Sequence, residues 1–239
     1  MKNIFLACFA AVLLFANSFA QGEVNYFAFY ADKPIIIDGI ADESVWQAGL
    51  WYNIDQLYLG EANANFSGRF KTAWLGNQIY FLVEIIDSNL TNFISQNFSE
   101  YWQGDCIEIF IDEALNKSDH HQNNKAFAYH IMHTGEVIDI DTDGSSKIFP
   151  DTAKIAIKQD GNKYTWEIAL NVYSEKYNPN IKNNKKALVK LFAGKKLGLT
   201  LAYGDNNGEG REAFYGSAAG QGDTGYLTSE KFGILELVK

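Results

Sequence analysis

The sequence predicts an all-β chain folded as a sandwich, and three observations carry that prediction. Short stretches alternate apolar and polar residues with the period of a strand, whose successive side chains point to opposite faces. Turn signals separate these stretches every ten or so residues, the spacing of sandwich strands. Helical signals are weak. Only "ADESVWQAG" reads as a short helix near the N-terminus, with Asp42 as its N-cap and Gly49 as its end.

Taken in order, "FSGRFKTAW" places Phe66, Gly68, Phe70, Thr72 and Trp74 on one face and Ser67, Arg69, Lys71 and Ala73 on the other. "LGNQ" (75–78) is a hairpin turn, and "IYFLVEIID" returns with Ile79, Phe81, Val83 and Ile85 inward. In residues 105–112, Ile107, Ile109 and Ile111 share one face, while Cys106, Glu108, Phe110 and Asp112 share the other. "AFAYHIMH" (126–133), "EVIDID" (136–141) and "AKIAIKQ" (153–159) read as further strands. A turn at Asp160-Gly161-Asn162 leads into "KYTWEIAL", and "KLGLTLAYGD" (196–205) and "KFGILELV" (231–238) close the set. Trp46, Trp74 and Trp166 fall at apolar positions and read as core, Trp51 as a rim residue. The chain carries no internal repeat, Pro-rich linker or low-complexity tract, so residues 21–239 read as a single domain.

Residues 1–20 read as a secretory signal peptide. Lys2 is the positive n-region, Ile4 to Ala16 the apolar run, and Ser18-Phe19-Ala20 the small-x-small cleavage signal, with cleavage expected before Gln21. The expected location is therefore periplasmic or extracellular, and no later stretch is apolar enough to span a bilayer. Cys8 leaves with the signal, so the mature chain keeps Cys106 alone and has no internal disulfide. Removing Lys2 leaves 19 basic against 29 acidic residues, a net charge near −10. Such a surface repels nucleic acid and anionic membrane and suits neutral ligands and divalent cations.

The ordered segments "PIIIDGIADESVW", "TAWLGNQIYFLVEIID", "WQGDCIEIFID", "YTWEIAL", "LTLAYGDNNGEGR" and "KFGILEL" together resemble the family 9 carbohydrate-binding modules, from about Pro34 to Leu237. The resemblance implies a jelly-roll-like antiparallel β-sandwich that binds an oligo- or polysaccharide without catalysis, stabilised by calcium and serving polysaccharide breakdown as an accessory. In sugar-binding members two Trp rings clamp a saccharide end, while a Glu and an Arg bond its hydroxyls. Trp102 and Glu108 match the first Trp and the Glu. The Arg position falls at or near His130, and "GREAFYGS" offers Phe214 or Tyr215 where the family has its second Trp.

The residues themselves leave two readings at each candidate. Trp102 either stacks on a sugar ring or packs over the sheet edge. Ionised Glu108 accepts hydrogen bonds from vicinal hydroxyls or pairs with Arg69 or Lys71 of a neighbouring strand; the two can coexist. His130 is a candidate sugar contact; with His120, His121 and His133 it forms a sequence cluster that invites a metal reading. "DIDTDG", with Asp139, Asp141 and Asp143, fits the first half of a calcium loop or a strand end turning at Gly144. "GDNNGEGRE" is a second candidate calcium loop through Asp205, and its Arg211 either binds ligand or pins the loop to a carboxylate.

No catalytic constellation is legible. Glu108 and Asp112 on one strand lie about 13 Å apart by strand rise, too far for the paired carboxylates of a glycosidase. Two other classes compete with a sugar-binding module. One is a b-type haem domain using Met132 with a Lys or His from another strand, since Met132 and His130 are too close along one strand to sandwich a haem. The other is a cell-envelope interaction sandwich without sugar affinity.

Overall fold

The computed structural model describes residues 25–88, 90–91 and 98–239. The expected signal peptide, its cleavage point and Cys8 lie outside them. The first elements are β1 (Asn25–Tyr30), α1 (Ser44–Ala48), β2 (Tyr52–Ile54), β3 (Gln56–Gly60), β4 (Ser67–Leu75) and β5 (Gln78–Ile86). After a 3-10 turn at Tyr101–Gln103 come β6 (Cys106–Asp112), β7 (Phe127–Met132), β8 (Val137–Ile140) and β9 (Ser146–Ile148). β10 (Ala153–Asp160) and β11 (Lys163–Asn171) form a hairpin, and β12 (Lys196–Asn206), β13 (Arg211–Gly216) and β14 (Gly233–Val238) complete the set.

Hydrogen-bonded neighbours run β10-β11-β5-β4-β1-β14-β12-β6-β7-β8-β9, with β2 on β4 and with β13 between β12 and β3. Every ladder is antiparallel except at β1, which lies parallel to both β14 and β4 and joins the two halves. Phe70, Phe81, Val83 and Trp166 of one half share a core with Ile107, Ile109, Tyr129, Leu199 and Leu201 of the other. The sheet therefore closes on itself as two layers, and the alternation read at β5 and β6 supplies their inner faces.

A second face of each layer is also covered. On the β4–β5–β11 side, Trp46 of α1 packs with Ile35, Ile37, Tyr80 and Leu82, and its indole N–H donates to Glu167. Asp42 does not cap this helix. Glu43 holds the cap position, and its carboxylate instead accepts the Ile36 N–H. The three Trp read as core are buried as expected. Trp51 lies beneath Arg69 and Lys71, whose charged heads sit 4.1 and 4.7 Å from its ring centroid.

On the β6–β7–β12–β13 side, the segment between β13 and β14 crosses the outer face. Phe232 and Tyr58 pack with Phe110, Ala128, Ala202 and Phe214, and Thr200 donates to the Gln221 side chain at 2.6 Å. Gly225 is required there: a Cβ would come within 2.9 Å of the Phe110 ring. This covering leaves all seven residues of β6 buried, including Glu108 and Asp112. Cys106 is a free, buried thiol among Tyr101, Met132 and Ile138.

Candidate functional site

Glu108 sits at the centre of β6, opposite His130 of β7 and Ala202 of β12. Its Oε1 lies 3.1 Å from His130 Nε2 and accepts a short hydrogen bond from the Arg211 guanidinium. The pairing with Arg69 or Lys71 does not occur. Arg69 forms its ion pair with Glu84, and Lys71 donates to the Trp46 carbonyl, both in the other half of the sheet. Arg211 comes from the start of β13, where a register shift at Asp205/Asn206 brings it over β12. Gly204 leaves the room for it, since a Cβ there would stand 3.1 Å from the guanidinium. The planar head then stacks on Phe214, 4.5 Å from the ring centroid.

Burial pushes the Glu108 carboxyl up, but the His130 and Arg211 charges and their hydrogen bonds outweigh it and hold the carboxyl down at about 2. His130 Nδ1 lies 2.9 Å from the Ala128 carbonyl, so that nitrogen donates and Nε2 is left to face Glu108. Tyr101 packs edge-on against the His130 ring at 4.6 Å.

These residues floor a pocket of about 320 Å³ whose lining includes Tyr101, Trp102, Glu108, His130, Arg211, Asp223 and Tyr226. Trp102 and Tyr226 stay 39% and 40% exposed, so each leaves ring surface open to a ligand. The turn carrying Trp102 is fastened to the β12–β13 hairpin. Gln103 Oε1 accepts the Arg211 N–H at 2.8 Å, and Asn206 donates to the Gln103 carbonyl.

The structure thus brings together Trp102, Glu108, His130 and Arg211 of the residues singled out from sequence. Tyr215 is a correction. It lies on the opposite face of β13, stacked on Phe66 at 4.0 Å and accepting the Asn63 N–H, and does not line this pocket. Phe214, the other candidate ring, is buried beneath Arg211. The second exposed ring is Tyr226, from a loop in which no spacing rule singled it out. The haem reading finds Met132 fully buried beneath the pocket and His130 Nε2 engaged by Glu108. The four His do not gather: His120 Nε2 is bonded to the Gly225 carbonyl, and His133 is on the other strand face from His130.

The acidic residues separate differently from the sequence expectation. Asp139 is buried and accepts the Ala128 and Ile140 N–H groups, and burial raises its carboxyl to about 6 against those bonds. Asp141 and Asp143 clasp Lys147 at 2.5 and 2.8 Å, and Gly144 turns the chain with φ +82°. The "DIDTDG" stretch is therefore the strand end with a turn, with an ammonium where a cation loop would hold its ion. Among the described residues the carboxylates that converge are Asp87, Asp105 and Asp205, all buried, with one oxygen of each within 4.8 Å of the others.

Tyr203 donates to Asp87 at 2.5 Å, and Asp105 accepts the Asn206 N–H at 2.8 Å and another from Thr91. Asp205 Oδ1 is buried with no hydrogen-bond partner, although Asn63 reaches its Oδ2. Burial, then the neighbouring carboxylates, raise Asp205; burial raises Asp105 to about 7 despite its backbone N–H donors. An all-oxygen set with an unsatisfied acceptor fits a hard divalent cation. Asp205 was legible in the sequence; Asp87 and Asp105 stand at strand ends and were not.

Comparison with known proteins agrees with this architecture. A relative, endo-1,4-beta-xylanase A of Thermotoga maritima, is 24% identical over 204 residues, 85% of this chain. The chain spans only 17% of that relative's length. A family 9 carbohydrate-binding module of Caldicellulosiruptor kristjanssonii solved with cellotriose superposes with a TM-score of 0.67, 17% identity and 90% and 94% coverage of the two chains. The same organism's module solved with glucose gives a TM-score of 0.65 at 17% identity, covering 90% of this chain and 95% of that one. A further structure, from Bacteroides uniformis, gives 0.60 at 9% identity, over 90% of this chain and all of that one. The model for "Carbohydrate family 9 binding domain-like" proteins matches residues 37–239, and the chain belongs to that family.

Proposed function

We propose that this chain is a secreted, non-catalytic saccharide-binding module. The observation that carries the reading is a buried, ionised Glu108 held by Arg211 and His130 on the floor of a pocket rimmed by two half-open rings, Trp102 and Tyr226. A ring face suits the C–H face of a pyranose, and a fixed carboxylate with spare lone pairs suits its hydroxyls. The cation expected from β7 is supplied here from β13. Glu108 is tied to two donors and kept ionised, the state of an acceptor and not of a general acid. The relatives solved with cellotriose and glucose support a glucan-type ligand, and the xylanase relative supports an accessory place in polysaccharide breakdown.

Calcium is the cation we assign to Asp87, Asp105 and Asp205. When bound it would supply the positive charge that lets three adjacent buried carboxylates remain ionised, at the junction of β5, β6 and β12. Titration calorimetry with glucan and xylan oligosaccharides, with calcium and with a chelator, tests both parts. Binding heat that disappears in Trp102→Ala is the expected result. A flat response across a broad oligosaccharide panel, calcium present, refutes the reading.

A further inference from the structure

The pocket's polar groups are unevenly divided between donors and acceptors. Both nitrogen-bearing side chains of the floor, Arg211 and His130, are directed at the same atom, Glu108 Oε1. The Arg211 head is further fixed against Phe214, and its side chain is only 7% exposed. The other Glu108 oxygen carries no hydrogen bond to a described residue and belongs to a residue lining the cavity. Asp223 also lines the cavity, exposed at its mouth, with no hydrogen bond or ion pair to any described residue. Partial burial, then the Glu108 charge, push the Asp223 carboxyl up against the smaller opposing pull of Arg211 and His130. An incoming ligand therefore meets two carboxylates with oxygens to spare, while the Arg211 Nε that lacks a partner is itself buried.

We propose that the pocket filters saccharides by charge, with Asp223 at the mouth and the free oxygen of Glu108 within admitting neutral and 2-amino sugars and rejecting uronic acids. This rests on the saccharide reading above and deepens it. A sugar hydroxyl or ammonium donates to these oxygens. A uronate brings a third carboxylate to a mouth whose exposed charge, Asp223, is already negative, and is repelled. Specificity is a difference of affinities, and an unpaired like charge is an effective way to build one. Because Asp223 is exposed, the repulsion is screened by salt.

The test titrates the whole chain, calcium present, with methyl β-glucoside, its 2-amino analogue and methyl β-glucuronide at pH 7 and two ionic strengths. The expected order is amino sugar, then neutral sugar, then uronate, with the uronate about tenfold weaker than the glucoside at low salt and closer to it at high salt. In Asp223→Asn the gap between glucoside and glucuronide should narrow by about threefold or more at low salt, a partial loss suited to a solvent-screened charge. A glucuronide that binds as well as the glucoside overturns the filter and leaves the saccharide reading standing. An unchanged gap in Asp223→Asn overturns the role of Asp223. Failure of all three sugars, and of longer glucans, overturns both.

Discussion

Glu108→Gln is the substitution whose consequence the geometry specifies most closely. The Glu108 carboxyl is 2% exposed and sits at about 2, against an ordinary value of 4.5. At about 1.4 kcal/mol per unit, this difference contributes about 3 kcal/mol of stability above pH 5. The sign follows from proton uptake. Between pH 5 and pH 2 the unfolded chain binds a proton at this position and the native chain does not, so stability falls as pH falls. The substitution removes that titration and leaves Arg211 buried beside a neutral amide, so at pH 7 it should cost about 3–5 kcal/mol.

Urea denaturation of both proteins at pH 7, 5, 4 and 3.5 measures the effect, with calcium held constant. Other titrating groups, including Asp105, are common to both chains and cancel in the difference. The gap between the two stabilities should be nearly constant from pH 7 to 5 and then narrow by about 1–2 kcal/mol at pH 3.5. A gap independent of pH would show that Glu108 is not ionised against Arg211 and His130 in the native state, and the electrostatic account of the pocket floor would fail.

Tyr226→Ala should weaken oligosaccharide binding about tenfold, the scale of one lost stacking surface, with little change in urea midpoint; an unaltered affinity would remove Tyr226 from the pocket wall. Tyr215→Phe should do the reverse, lowering stability by about 1 kcal/mol through the lost bond to Asn63 while ligand titration stays within twofold. Calcium at a hundred times its dissociation constant should add about 2.7 kcal/mol of stability, seen as a rise in Tm on scanning calorimetry. Asp205→Asn should abolish that rise and Asp143→Asn should keep it; the opposite pattern would move the ion to the Asp143 turn.

Much of the fold was legible because a sandwich strand writes its two environments into alternate residues. Ile79, Phe81, Val83 and Ile85 of β5, and Ile107, Ile109 and Ile111 of β6, are fully or almost fully buried on the inner face as their spacing required. The short elements β2, β3 and β9, three to five residues each, were not legible, because so few residues cannot display a period. The parallel pairing of β1 was invisible for another reason: strand direction is a property of the neighbours and leaves no mark in the strand's own composition.

Residue order alone was enough for the all-β class, the inner faces, an acid at Glu108 on one strand face with Cys106 and Phe110, and Trp102 a few residues before it. What that acid meets is set by packing between distant segments. Arg211 is 103 positions away, and reaches Glu108 through a shifted hairpin register and a glycine on the strand between. Tyr226 becomes a wall because the chain between β13 and β14 folds back across the outer face, and Asp87, Asp105 and Asp205 converge because three strand ends meet at one junction. Each is a contact between residues distant in the chain, and such contacts are specified by layer packing and register, which no local pattern of side chains encodes.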